Sequence, residues 1–123
     1  MTIALVTDLI FSTRIAGTAQ KLGVPCRVVR SSEALEEAIA AAGPDEPLVL
    51  IDLNADGIDA TEAIRDVKAQ RPTLTVIGFL SHVQRELKRA AEDAGADEVL
   101  PRSAFVERLP ELLASGGSSR ENA

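Results

Sequence analysis

Hydrophobic positions follow two alternating rhythms along the chain. Short, unbroken apolar runs ("TIALV", "RVV", "PLVLID", "LTVIGFL" and "EVL") alternate with longer stretches where apolar residues recur every three or four positions. The unbroken runs are short and rich in β-branched residues, which predicts five buried strands. The periodic stretches predict five helices. Their apolar faces are Phe11, Ile15, Ala19 and Leu22; Leu35, Ala38, Ile39 and Ala42; Ile64 and Val67; Leu87, Ala90, Ala91 and Ala94; and Leu109, Leu112 and Leu113. Gly23, Gly43-Pro44, Pro72 and Gly95 punctuate the ends. Asp59 and Glu62 have capping-box spacing at the third helix, and "SHVQ" from Ser81 has it at the fourth. Pro110 is expected in the first turn of the last helix, because an interior proline costs about 3 kcal/mol.

Strands apolar throughout their length, each followed by a crossover helix, predict a parallel sheet covered on both faces. The right-handed crossover rule leaves a doubly wound α/β arrangement. Sites in such sheets lie beyond the carboxyl ends of the strands. Those ends carry Asp8, Asp52, Ser81 and Arg102, four polar side chains from four separate loops that are expected to converge. One domain is expected over residues 1–115, followed by a solvated, disordered tail over 116–123.

Composition narrows the function more than the fold. With three Phe and no Trp or Tyr among 123 residues, the core must be aliphatic. The net charge of −6 argues against a nucleic-acid partner. Cys26 is the only cysteine, so no intramolecular disulfide forms, and its place in "PCRVVR" reads as a strand residue. No positive leader and no long apolar run are present, so a cytoplasmic protein without membrane contact is expected. His82 follows Ser81, but no G-x-S-x-G elbow accompanies them, so a hydrolase is not expected. A small-ligand or nucleotide binder on the same fold is the lowest alternative, because "TDLIFSTRIAG" has no glycine in the turn itself.

From Thr2 to Leu113 the chain resembles a response-regulator receiver domain. The marks are "LVTD", "LVLIDLNADGIDA", "VIGFLSH" and "GADEVL". The resemblance implies a flavodoxin-like sheet of order 2-1-3-4-5. It makes Asp52 the phosphoacceptor candidate, and Asn54 the position whose backbone carbonyl binds magnesium. Asp8 becomes the second acid of a pair, Ser81 the switch hydroxyl, and Arg102 the counterpart of a lysine. Asp8, Asp52 and Asn54 are thereby candidate ligands for a weakly bound Mg2+. Four residues depart from the family pattern: Thr7 for the first acid, Arg102 for the lysine, Ser103 for a proline, and Val99 for an aromatic. Phe105 is the counterpart of the family's Phe, in a frame one residue longer.

The implied function is a diverged, stand-alone signalling domain, not an enzyme, acting through protein–protein contacts independently of phosphorylation. Its expected partners are a histidine kinase or a downstream target, with a homodimer through the fourth and fifth helices also in view. The alternative is a magnesium-dependent receiver phosphorylated on Asp52. Simpler roles stand beside these: Asp52 as an Asx-turn residue, Asp8 and Ser81 as helix starts, and Arg102 as the partner of a neighbouring acid. Val99, Phe105 and Val106 belong either to a contact patch or to the core.

Overall fold

The computed structural model describes residues 1–81 and 84–117. Strands and helices alternate as β1 (Thr2–Leu5), α1 (Leu9–Leu22), β2 (Cys26–Val29), α2 (Ser32–Ala41), β3 (Leu48–Asp52), α3 (Ala60–Gln70), β4 (Val76–Leu80), α4 (Arg85–Ala94), β5 (Glu98–Pro101) and α5 (Arg102–Ser115). The five strands form one sheet of order β2-β1-β3-β4-β5, with every neighbouring pair parallel. This is the doubly wound order that the receiver resemblance implies.

Side chains alternate across the sheet, so each central strand feeds two cores at once. Ile3, Leu5, Val49 and Ile51 pack with buried residues of α2, α3 and α4. Ala4, Val6, Leu48 and Leu50 face the other way, onto Phe11, Ile15 and Ala19 of α1 and Phe105, Leu109, Leu112 and Leu113 of α5. Asp52 continues the series of Leu48 and Leu50, so the pleat directs it to the α1–α5 side. On β4, Gly78 faces the opposite core. A Cβ there would lie 3.2 Å from Leu53 Cδ2. The glycine lets Leu53 pack against the sheet, while the Leu53 N–H donates to Phe79 O at 2.9 Å. The residue after Asp52 is thus pinned on both backbone and side chain.

The helix starts follow local chemistry at α1, α2 and α3. Asp8, Ser31 and Asp59 accept from the backbone N–H groups of Phe11, Ala34 and Glu62. At α4 the structure corrects the expectation. The helix starts at Arg85 with Gln84 as its N-cap and no side-chain cap bond, so Ser81 lies too far upstream to cap it. The rest of that expected motif, His82 and Val83, lies outside the described residues.

Pro110 is a second correction. It sits inside α5, because the helix already begins at Arg102. Leu112 and Leu113 beyond it are buried. Burying each contributes about 1.5–3 kcal/mol, enough together to offset the roughly 3 kcal/mol an interior proline costs. Val99 is buried in the α2–α3–α4 core and Phe105 in the α1–α5 core, with Val106 packed partly against the latter. Gly116 and Gly117 close α5, with the Gly117 N–H donating to Leu112 O at 3.0 Å. The remainder of the expected tail, 118–123, lies outside the described residues. Among the described residues no helix is long and apolar enough to cross a membrane.

Replacing Pro110 by Ala restores a donor toward the Val106 carbonyl and removes the ring clash. The expected result in urea unfolding is a gain of about 1–2 kcal/mol, the remainder being lost to a more flexible unfolded chain. A loss of stability would show that the ring is itself a packing element.

Candidate functional site

Asp52 is the last residue of β3 and only 1% exposed. A carboxylate in that position requires compensation, and two groups supply it. Its Oδ1 accepts the backbone N–H of Asn54 at 2.9 Å, an Asx-type turn. Its Oδ2 accepts Arg102 Nη2 at 3.2 Å. Burial nevertheless raises the Asp52 pKa above the ordinary 3.8. The Asn54 N–H and the Arg102 guanidinium pull it back, and nearby Asp8 adds to the rise.

Asp8 joins β1 to α1 and serves two partners. Oδ1 caps α1 by accepting the Phe11 N–H at 3.0 Å, and Oδ2 lies 3.7 Å from Arg102 Nη1. The two terminal nitrogens of one guanidinium therefore reach the two carboxylates. Arg102 comes from the first residue of α5, directly after Pro101. Its Cζ lies 4.6 Å from the centroid of the Phe11 ring. Phe11 in turn stacks with Phe79 at 5.0 Å and Phe105 at 5.8 Å, and those two stack at 4.2 Å. A planar cation is thus held by carboxylates at its edge and by an aromatic face beneath it.

The surrounding loops are tied to this centre by Asn54 and Thr7. Asn54 Oδ1 accepts the Ser81 backbone N–H at 2.8 Å, and Asn54 Nδ2 donates to Gln84 Oε1 at 2.9 Å. Thr7 Oγ1 accepts the Asp56 N–H at 3.0 Å, linking the β1 and β3 loops. Of the residues expected to converge, Asp8, Asp52 and Arg102 meet directly. Ser81 joins through its backbone and is itself exposed. Sequence reading missed Phe11 as the support of Arg102, Gln84 as the partner of Asn54, and Thr7 as a loop tie. The one available signal was that Phe11 lies three residues past Asp8, on the first turn of the helix that Asp8 starts.

Magnesium needs several oxygen ligands free to face it. Here each carboxylate turns one oxygen to Arg102, and the other oxygen of each accepts a backbone N–H. Thr7 puts no charge at the first acid position. Among the described residues, no group of three or more His, Cys, Asp or Glu is placed to hold a metal. As arranged, these residues do not fit a divalent ion.

No family model matches the chain. A stretch of 83 residues, 67% of the chain, is 35% identical to the transcriptional activator protein ExaE of Pseudomonas putida. That match spans 37% of ExaE, little more than a third of its length. The receiver domain of NtrX from Brucella abortus superposes with a TM-score of 0.82 at 20% identity, covering 97% of this chain and 99% of that one. The signal receiver domain of NarL from Mycobacterium tuberculosis gives 0.78 at 17% identity, covering 97% and 96%. The structural neighbours are response-regulator receiver domains, and the fold is the receiver fold.

Because the Asp52 pKa is raised, the folded protein holds a proton there at a pH where the unfolded chain has lost it. Ionised Asp52 therefore subtracts from stability above that range, and the penalty disappears as pH falls toward 3.8. Asp52→Asn is expected to be neutral or stabilising by up to about 1 kcal/mol at neutral pH, with the gain shrinking as pH is lowered. Arg102→Met leaves a buried carboxylate without its counter-charge and is expected to cost about 2–4 kcal/mol. Urea unfolding of both variants across pH checks the asymmetry. A large loss in Asp52→Asn would make the carboxylate a structural requirement.

Proposed function

We propose that this domain is a receiver-type signal-transduction module that works through protein contacts without phosphorylation of Asp52. The observation that supports this most is the ion pair between Arg102 Nη2 and Asp52 Oδ2 at 3.2 Å. An attacking carboxylate must present a free oxygen to an incoming phosphoryl group, with the negative charge between them screened by metal. In this pocket one Asp52 oxygen faces Arg102 and the other takes the Asn54 N–H. Thr7 at the first acid position removes a negative charge and weakens the usual acceptor chemistry further. The second reading, a magnesium-dependent acceptor on Asp52, keeps one favourable observation: Asp8 and Asp52 still meet at the strand ends.

The contact surface we favour lies on the α4–β5 side. A groove of about 340 Å³ is lined there by Leu80, Val99, Leu100 and Pro101, with Gln84, Arg85 and Lys88. Its two basic side chains suit an acidic protein partner, and this chain, at net −6, is itself acidic. A second copy, a kinase and a downstream target all fit this reading.

Incubation with magnesium and an acyl-phosphate donor, followed by intact-mass and amide-shift measurement, tests it. The expected outcome is no phosphoryl adduct, an unchanged amide spectrum, and the same result for Asp52→Asn. An adduct on the wild type that is absent from Asp52→Asn, with shifts spreading to α4 and β5, would establish the phospho-accepting reading instead.

A further inference from the structure

We infer that Arg102 is the built-in cation of the strand-end pocket, and that it occupies the place of a divalent ion by bridging Asp8 and Asp52. This deepens the function proposed above and rests on the same pocket, but it makes a separate claim about ions. The claim comes from the distances. Nη1 lies 3.7 Å from Asp8 Oδ2, and Nη2 lies 3.2 Å from Asp52 Oδ2. One delocalised charge thus spans both carboxylates, as a bound metal would. A dication brought to the same oxygens would have to displace the guanidinium or share the pocket with it against like-charge repulsion.

What holds the guanidinium there is the apolar core beneath it. Phe11 presents its ring to Arg102 at 4.6 Å and is braced by Phe79 and Phe105. Arg102 is itself tethered at the first residue of α5. An ammonium would offer neither the flat face for that ring nor two separated nitrogens for two acids. Phe11 is therefore a positioning residue, acting on the pocket through Arg102. The network of Asn54, Ser81 and Gln84 closes the other side. No part of this arrangement consumes or releases an ion, so the guanidinium offsets one of the two carboxylate charges whatever the surrounding divalent concentration.

Removing the guanidinium should turn the pocket into a cation site, since Asp8 Oδ2 and Asp52 Oδ2 then lose their shared counter-charge. The experiment is an amide-shift titration with MgCl2, repeated with Mn2+ line broadening, on the wild type, Arg102→Gln and Arg102→Gln/Asp52→Asn. The wild type is expected to show no saturable shifts at Asp8, Asp52 and Asn54 up to about 10 mM magnesium, and Arg102→Gln to bind at least about tenfold more tightly. The double variant should lose that gain. Saturation of the wild type at those three residues in the low millimolar range overturns the inference, as does an Arg102→Gln variant that binds no better. If Arg102→Gln loses its amide dispersion, the wild-type titration decides by itself. Metal saturation without a phosphoryl adduct would remove this inference and leave the proposed function standing. An adduct formed by a wild type that shows no metal saturation would do the reverse.

Discussion

A charged group closed off at the end of a central strand governs this molecule. β3 is buried on both faces, and its last residue, Asp52, carries a carboxylate to the edge of an apolar layer that includes Leu48, Leu50, Phe79 and Phe105. Such a charge persists only if fixed dipoles and an opposite charge come to it. The turn after β3 brings the Asn54 N–H, and the abrupt start of α5 brings Arg102. The geometry of the strand ends follows from these two demands.

One consequence is that a single side chain joins three elements far apart in sequence. Arg102 leaves α5, reaches β3 through Asp52, and reaches the start of α1 through both Asp8 and the Phe11 ring. α1 and α5 are thereby coupled at their N-terminal ends by charge and stacking, and along their lengths by the packing of Ile15 and Ala19 with Leu109, Leu112 and Leu113. The opposite face is built differently, from small residues such as Ala60, Ala63, Ala91 and Ala94 that bring α3 and α4 close. The α1–α5 side therefore holds the pocket's cation, and the α4 side carries its hydrogen-bonded rim through Gln84.

Much of this was legible in the sequence, because strand burial and helix periodicity are local signals. The five apolar runs and the residues at their ends sufficed to bring Asp8, Asp52 and Arg102 to one edge. The failures arose where a local rule met a tertiary one. Proline propensity put Pro110 at a helix start, yet the burial of Leu112 and Leu113 carried the helix through it. The capping pattern at Ser81 was a coincidence of spacing, and α4 began at Arg85 without it. Thr7 read only as a missing acid, and the hold of its hydroxyl on the Asp56 N–H is a contact between loops that this reading could not supply. The seat of Arg102 on Phe11 depends on how α5 meets α1, 91 positions separating the two residues (102 − 11). No window of the sequence displays that.

The clustering of the three phenyl rings has a practical side. The chain has no Trp or Tyr, and Phe11, Phe79 and Phe105 are its only phenyl rings. All three lie in one stack, with the pocket cation seated on its outer ring. Phenyl ring-current shifts and near-ultraviolet dichroism thus arise from one place, beside the arginine that pairs with Asp52. Any event that lifts Arg102 from Phe11 will alter the aromatic spectrum, so the protein carries its own unlabelled reporter of the state of its pocket.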